Sequence, residues 1–124
     1  MLLGDFFTVG SIQKEGNSVN AMLELNTAHA IFNGHFPGQP VVPGACLLQM
    51  VKEIMQIVAG GYVQLIKAHQ LKFISLIDPA KYSTLEMKLT HSTSENGEVT
   101  VSVTLSNNNT VCFKFSGVFQ LLLY

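Results

Sequence analysis

The chain has 124 residues, of which 48% are hydrophobic and 12% are charged, and its formal net charge at pH 7 is −1. This length suits a single domain with a substantial core, so we expect one domain over residues 1–124. The near-zero net charge and the absence of a basic run give nucleic-acid binding through phosphate neutralisation little basis. The charged fraction lies below the roughly 25% typical of soluble domains. We therefore expect an apolar surface that a partner covers, and self-association is the simplest case.

We expect no targeting signal at the start of the given sequence. Gly4 and Asp5 directly follow Met1–Leu3, so neither the charged nor the apolar region of a signal peptide is present. No apolar run approaches the roughly 20 residues of a membrane span. The two cysteines, Cys46 and Cys112, do not indicate a disulfide scaffold. We expect a cytoplasmic protein without a membrane span.

The first part of the chain predicts a β-hairpin followed by a stiff loop. The apolar run Phe6–Ile12 and the alternating segment Val19–Leu25 flank a turn signal at Glu15-Gly16-Asn17. Residues 26–33 show no regular pattern. The next segment, His35–Gly44, holds three of the four prolines. Each proline fixes its own φ and disfavours helix at the residue before it, so this loop is stiff.

Gly44–Ala59 is the strong helix candidate. Pro43-Gly44 precedes it and Gly60-Gly61 ends it. Four polar residues fall on one stripe at i, i+3, i+4 and i+7 spacing; they are Gln49, Lys52, Glu53 and Gln56. The other faces are apolar, which predicts a buried helix that a sheet surrounds.

The rest of the chain predicts the strands of that sheet. Tyr62–Ile77 is a long β-prone run that Asp78-Pro79 ends. Three later segments alternate apolar and polar residues and are joined by tight turns, a pattern that predicts an antiparallel meander with one buried face. These segments are Leu85–His91, Val99–Ser106 and Val111–Ser116.

Phe32–Gly44 reads Phe-Asn-Gly-His-Phe-Pro-Gly-Gln-Pro-Val-Val-Pro-Gly. This run closely resembles the signature of the hotdog-fold 3-hydroxyacyl-(acyl-carrier-protein) dehydratases of bacterial fatty acid synthesis. In that family a Gly-His-Phe-Pro motif, a Pro-Gly pair and the buried helix occur in this order. Outside this run the resemblance is one of layout, with a hairpin before it and a long strand and meander after it. The resemblance implies an α+β hotdog fold, an antiparallel sheet wrapped around one central helix at about Gly44–Ala59.

The resemblance also implies a reaction on a (3R)-hydroxyacyl thioester, in fatty acid or polyketide-type synthesis. In such enzymes a histidine removes the proton α to the thioester carbonyl, an acid on the central helix protonates the leaving hydroxyl, and a backbone N–H polarises the carbonyl. His35 would be the base, and the Gly44 N–H the oxyanion donor. An imidazole titrates near neutral pH, and a helix N-terminus stabilises an anionic oxygen. The expected substrate contacts are Phe32, Phe36, Val42 and Pro43.

This chain departs from the family at the acid. The family carries Glu or Asp fourteen residues after the histidine and Gln one turn later, whereas this chain has Gln49 and Glu53. Glutamine can hold a hydroxyl group or a water but cannot donate a proton as a carboxylic acid does. One helical turn is about 5.4 Å, too far for Glu53 to act from the same position without rearrangement. Alternatively, Glu53 beside Lys52 belongs to a solvated helix edge.

Three hypotheses follow. The chain is a working dehydratase in which Glu53, or a water held by Gln49, replaces the acid. Or it is one half of a heterodimer, in which His35 faces a partner's carboxylate and Gln49 lies in an impaired site. Or it is a non-enzymatic binder of acyl thioesters or a thioesterase-like relative.

Thioesters of acyl carrier protein or coenzyme A are the expected partners. We expect a dimer with an identical or related hotdog chain, or a higher oligomer, since one sheet around a helix leaves an edge strand and an apolar rim exposed.

We expect neither a metal nor a cofactor. The remaining histidines, His29, His69 and His91, have no metal-ligand spacing with one another or with the cysteines. Cys46 lies in the first turn of the predicted helix, where the helix N-terminus can lower a thiol pKa. Its apolar neighbours favour a buried packing residue instead.

Overall fold

The computed structural model describes residues 1–34 and 41–122 of the chain. Within these residues the strands are β1 (Phe7–Glu15), β2 (Ser18–Leu25), β3 (Val63–Phe73), β4 (Thr84–Thr93), β5 (Glu98–Asn107) and β6 (Thr110–Leu121). The helices are α1 (Ile31–Gly34) and α2 (Gly44–Ala59). The bounds of α2 are those that the sequence predicts. In this part of the chain, no helix is long and apolar enough to cross a lipid bilayer.

The described strands form one antiparallel sheet in the order β1-β2-β4-β5-β6-β3. The hairpin of β1 and β2 and the meander of β4, β5 and β6 are as predicted. The strand that directly follows α2 in sequence, β3, pairs with β6 and lies at the edge of the sheet. The chain therefore passes β6 and β5 between β3 and β4.

The core lies between one face of the sheet and α2. Met50, Val51, Ile54 and Met55 of the helix have no exposed surface. The period-2 pattern of the meander places its apolar side chains on the same side, where Leu85, Met87, Val103 and Phe115 are at most 2% exposed. Burying one such side chain stabilises the fold by roughly 1.5–3 kcal/mol. Gly60 ends the helix with φ 75°, a left-handed conformation that suits glycine.

Two sequence predictions about the helices are wrong in part. Residues 26–33 were expected to be irregular, but Ile31–Gly34 forms the helical turn α1. Four residues are too few for a helical period to show, and the turn depends on the side chain of His29, whose Nδ1 accepts the Ile31 N–H at 3.1 Å. The helix α2 was expected to be buried over all its apolar faces, but Ile57 is 42% exposed. The single sheet does not cover the whole helix.

An apolar surface is exposed at the edge of the sheet. Ile66, Leu71 and Phe73 on β3 are 53%, 41% and 55% exposed. Ile74 and Leu76, which follow the strand, are also exposed. An edge strand with unpaired backbone groups and exposed apolar side chains is a surface that another chain can cover.

Candidate active site

The site is built around the start of α2. Pro43 precedes the helix in an extended conformation, with φ −62° and ψ 141°, and its own side chain makes no capping hydrogen bond. The Val42 N–H donates to the Ile77 carbonyl at 3.0 Å, which ties this segment to the chain after β3. A helix start without a side-chain cap leaves backbone N–H groups for a ligand. The predicted oxyanion donor, the Gly44 N–H, belongs to this first turn.

The ring of Phe73 packs directly on Gly44. A Cβ at residue 44 would lie 2.7 Å from two carbons of this ring, which is closer than Cβ atoms approach other groups. Phe73 also contacts Phe113, with ring centroids 5.1 Å apart. Glycine at position 44 therefore lets an aromatic side chain lie against the helix start. The sequence does not indicate this contact, because the two residues belong to separate elements.

A cavity of about 350 Å³ opens beside the helix start. Its lining is almost entirely apolar and comprises Val42, Gly44, Leu47, Phe73, Ile74, Ser75, Leu76 and Ile77. The volume lies at the lower end of the range for small-molecule pockets. Apolar walls beside free backbone donors suit an acyl chain that ends in a polar carbonyl group. Two of the predicted substrate contacts, Val42 and Gly44, line the cavity, whereas Pro43 is not among its lining residues.

Gln49 and Glu53 contact each other on α2. The Nε2 of Gln49 donates to Oε2 of Glu53 at 2.9 Å. Glu53 is only 1% exposed, so the alternative of a solvated helix edge is wrong. The N-terminal segment covers this carboxylate: the Leu2 N–H donates to Oε2 at 2.8 Å and the Leu3 N–H to Oε1 at 2.7 Å. These donors are about 50 residues away in sequence, and no local pattern reveals them.

The hydrogen-bond partners of the Glu53 carboxylate are all donors: two backbone N–H groups and one side-chain amide. Both carboxylate oxygens are thus already bound by donors of the protein itself. Glu53 would have to give up one of these hydrogen bonds before it could contact a leaving hydroxyl group.

The segment that leads to His35 is anchored on the N-terminal side. Phe32 is 7% exposed and belongs to the core, where its ring lies 5.5 Å from that of Phe6. The His29 ring meets Phe6 edge-on at 5.4 Å, and its Nε2 lies 3.1 Å from Oδ2 of Asp5. His29 Nδ1 also accepts the N–H of Ile31, the first residue of α1. The short helix is therefore held by this hydrogen bond and by the packing of Phe32 against Phe6.

Two predicted site residues, His35 and Phe36, lie outside the described residues. Their assignment as base and substrate contact stays a prediction. The last residue of α1, Gly34, directly precedes His35 in the sequence.

The remaining candidates have structural roles. Cys46 is buried, as predicted for a packing residue, and burial raises the pKa of its thiol above the ordinary value. A raised pKa is the opposite of what a nucleophilic thiolate needs. Among the described residues, no group of three or more His, Cys, Asp or Glu side chains could hold a metal ion.

The sequence matches a known family over most of its length. Residues 11–116 match the ApeI-like family, described as ApeI dehydratase. A stretch of 69 residues is 33% identical to the 3-hydroxyacyl-(acyl-carrier-protein) dehydratase FabZ of Haemophilus influenzae, covering 56% of this chain and 46% of that enzyme. The matched stretch thus spans about half the length of this curated relative.

Solved structures share the fold. The dehydratase heterocomplex ApeI:P from Xenorhabdus doucetiae superposes with a TM-score of 0.72 at 18% identity, covering 89% of this chain and 95% of that chain. A hypothetical thioesterase with coenzyme A from Streptococcus pneumoniae gives a TM-score of 0.62 at 10% identity, covering 93% and 87%. At these identities the likeness concerns the fold, and it confirms the hotdog arrangement. With the family match over residues 11–116, we conclude that this chain belongs to the ApeI-like dehydratase family.

Proposed function

We propose that the chain is a subunit of a 3-hydroxyacyl-thioester dehydratase, and that a related hotdog chain completes its active site. The observation that carries this proposal is the Gln49–Glu53 pair. Gln49 stands at the family's acid position, fourteen residues after His35, and its amide cannot protonate a leaving group. The nearest carboxylate, Glu53, accepts three hydrogen bonds and is buried. An acid from another chain is then required.

In the proposed reaction His35 removes a proton from C2 of the thioester. Negative charge builds on the thioester oxygen, where the Gly44 N–H donates to it at the helix start. The C2–H electrons form the C2=C3 double bond as the C3–O bond breaks. The leaving hydroxide takes a proton from the partner's carboxylic acid, which gives water and an enoyl thioester. His35 has gained one proton and the acid has lost one.

The need for a second, different chain follows from symmetry. In a dimer of identical chains both sites would hold Gln49 in place of the acid, whereas a related chain with a carboxylate there completes the site that contains His35. The exposed apolar edge at β3 supports association. The Xenorhabdus doucetiae structure is a dehydratase heterocomplex, which supports a partner of the same fold.

The acyl group is proposed to lie in the cavity lined by Val42, Gly44 and Phe73. Its carrier is proposed to be acyl carrier protein or coenzyme A. The name of the Haemophilus influenzae relative supports the first carrier, and the coenzyme A in the Streptococcus pneumoniae structure supports the second.

The test is a turnover assay on a short 3-hydroxyacyl thioester, with the purified chain alone and after co-expression with a related hotdog chain encoded nearby. We expect formation of the enoyl thioester only in the mixture, and its loss on His35→Ala. Equal turnover by the chain alone would overturn the two-chain proposal. Release of free thiol without an enoyl product would instead indicate a thioesterase.

A gain-of-function variant of the chain alone tests the acid position. Gln49→Glu together with Glu53→Gln restores the family's order of carboxylate and amide and avoids two adjacent carboxylates. Because a positioned general acid typically contributes 10²–10⁴-fold, we expect at least about a hundredfold rise in dehydration by the homodimer. No change would count against Gln49 occupying the acid position.

A further inference from the structure

The amide of Gln49 is held in one orientation. Its neighbour Glu53 only accepts hydrogen bonds, so the nitrogen of the amide, and not its oxygen, faces the carboxylate at 2.9 Å. The amide oxygen then points away from Glu53. Gln49 is only partly buried. The three hydrogen bonds at the Gln49–Glu53 pair all use the Glu53 carboxylate as acceptor, and none of them uses the Gln49 oxygen. An acceptor oxygen therefore lies at the position where the resemblance to the dehydratases places the acid.

The carboxylate that holds the amide is itself fixed by the backbone. Leu2 and Leu3 each donate their N–H to it, and the turn that follows packs Phe6 and Phe7 into the core without exposure. Rotation of the Glu53 side chain would take the acceptor away from these partly buried backbone donors, which is unfavourable. The N-terminal segment therefore fixes the Glu53 carboxylate, and this carboxylate in turn orients the Gln49 amide.

We infer that Glu53 is a positioning residue which makes Gln49 a hydrogen-bond acceptor for the 3-hydroxyl group of a bound thioester. This inference rests on the proposed function, because the family's acid meets the 3-hydroxyl at this position. Gln49 takes the hydroxyl proton in a hydrogen bond and gives none. The site therefore recognises a 3-hydroxyacyl chain without being able to expel its hydroxyl group.

The consequence is selectivity between two matched ligands. A thioester with the hydroxyl group satisfies the Gln49 oxygen, whereas the same acyl thioester without it leaves this oxygen unpaired once the ligand excludes water. One neutral hydrogen bond corresponds to roughly a tenfold difference in affinity. We expect this preference in the wild-type chain.

The test measures, by isothermal titration calorimetry on the purified chain, the affinities for a 3-hydroxyacyl pantetheine thioester and for its analogue lacking the hydroxyl group. Gln49→Leu should abolish the roughly tenfold preference. Glu53→Gln should lower it to about threefold or less, because Gln49 and two backbone donors then compete for one carbonyl oxygen.

A backbone substitution separates positioning from general destabilisation. Leu3→Pro removes the N–H that fixes Oε1 of Glu53, whereas Leu3→Ala keeps that N–H and removes more of the side chain than proline does. We expect the ligand preference to fall in the proline variant and to stay in the alanine variant. The side-chain amide signal of Gln49 in ¹H–¹⁵N spectra should shift in Leu3→Pro and Glu53→Gln only.

The outcomes distinguish this inference from the function on which it rests. If neither thioester binds the purified chain, the role of Gln49 as acceptor is wrong, whereas the proposed function fails only if the two-chain mixture gives no enoyl product. If both bind with equal affinity to the wild-type chain, thioester binding stands and the role of Gln49 as acceptor is wrong. If the preference survives in both Glu53→Gln and Leu3→Pro with an unchanged Gln49 signal, Glu53 is not its positioning residue.

Discussion

Glu53 in the interior and Glu24 on the surface each accept hydrogen bonds at both carboxylate oxygens. Glu53 on α2 accepts from the backbone of Leu2 and Leu3 and from Gln49, and it is 1% exposed. Glu24 on β2 accepts from the hydroxyl groups of Ser83 and Thr84 and is exposed. The two carboxylates have similar partners but very different access to water.

Access to water decides what each carboxylate contributes. When an exposed carboxylate is lost, water takes its place beside the freed hydroxyl groups, so little stability is lost. When a buried one is lost, water reaches the partly buried donors less readily, and each donor left unpaired costs roughly 1–3 kcal/mol. The hydrogen bonds at Glu53 should therefore be far more important for folding than those at Glu24, although both sets connect distant segments of the chain.

The largest expected effect is that of Glu53→Ala. Two backbone N–H groups and the Gln49 amide lose their acceptor, and we expect the free energy of unfolding to fall by about 3 kcal/mol or more. Urea denaturation followed by circular dichroism measures this free energy. Glu24→Ala is the matched control, and we expect it to lower the free energy of unfolding by less than about 0.5 kcal/mol. Equal losses in the two variants would refute the comparison.

His29 is an intermediate case, because 19% of its side chain is exposed. His29→Phe keeps a ring against Phe6 but removes the acceptor of the Ile31 N–H, so we expect a loss of about 1 kcal/mol, as for other helix caps. Asp5→Asn removes only the charge opposite His29, and since 74% of the Asp5 side chain is exposed, its loss should stay below about 0.5 kcal/mol. Urea denaturation of both variants tests this order. A larger loss in Asp5→Asn would mean that the contact with the Asp5 carboxylate, and not the helix cap, is the main contribution of His29.

The same distinction between local and distant partners explains what the sequence could predict. The helix Gly44–Ala59 was predicted with correct bounds because its signals are adjacent in sequence: Pro43 before it and Gly60 after it. The hairpin and the meander were predicted because alternation and tight turns are also local. The edge position of β3 was not predicted, because its pairing with β6 joins segments that lie about 50 residues apart in the sequence.

The candidate site was predictable to a similar extent. Gly44 at the helix start and Val42 beside the cavity could be expected from the motif and from the helix boundary. The burial of Glu53 could not be predicted, because an exposed helix edge shows the same polar stripe. The segment that covers Glu53 is the N-terminus, which is distant from α2 in the sequence. The ring of Phe73 on Gly44 depends likewise on the packing of β3 against the helix.

The smallest expected effect is the pH dependence at Glu24. Hydrogen bonds from Ser83, and then from Thr84, hold the pKa of this carboxyl group below its usual value of 4.5, although slight burial opposes them. Because the folded pKa is lower than the unfolded one, the stabilisation is fully present above the unfolded pKa and is lost as the pH falls through the folded pKa. Glu24→Gln should therefore destabilise the protein slightly at pH 7, and the difference from the wild type should vanish in acid.

An NMR titration of the Glu24 carboxyl group measures this shift directly, and its midpoint should lie below 4.5 in the folded protein. Ser83→Ala should raise that midpoint more than Thr84→Val does, since the hydrogen bond from Ser83 is the larger cause. A midpoint at or above the usual value would mean that water satisfies this carboxylate as well as the two hydroxyl groups do. In that case the contrast with Glu53 would be greater still, because the exposed carboxylate would then contribute nothing through its protein partners.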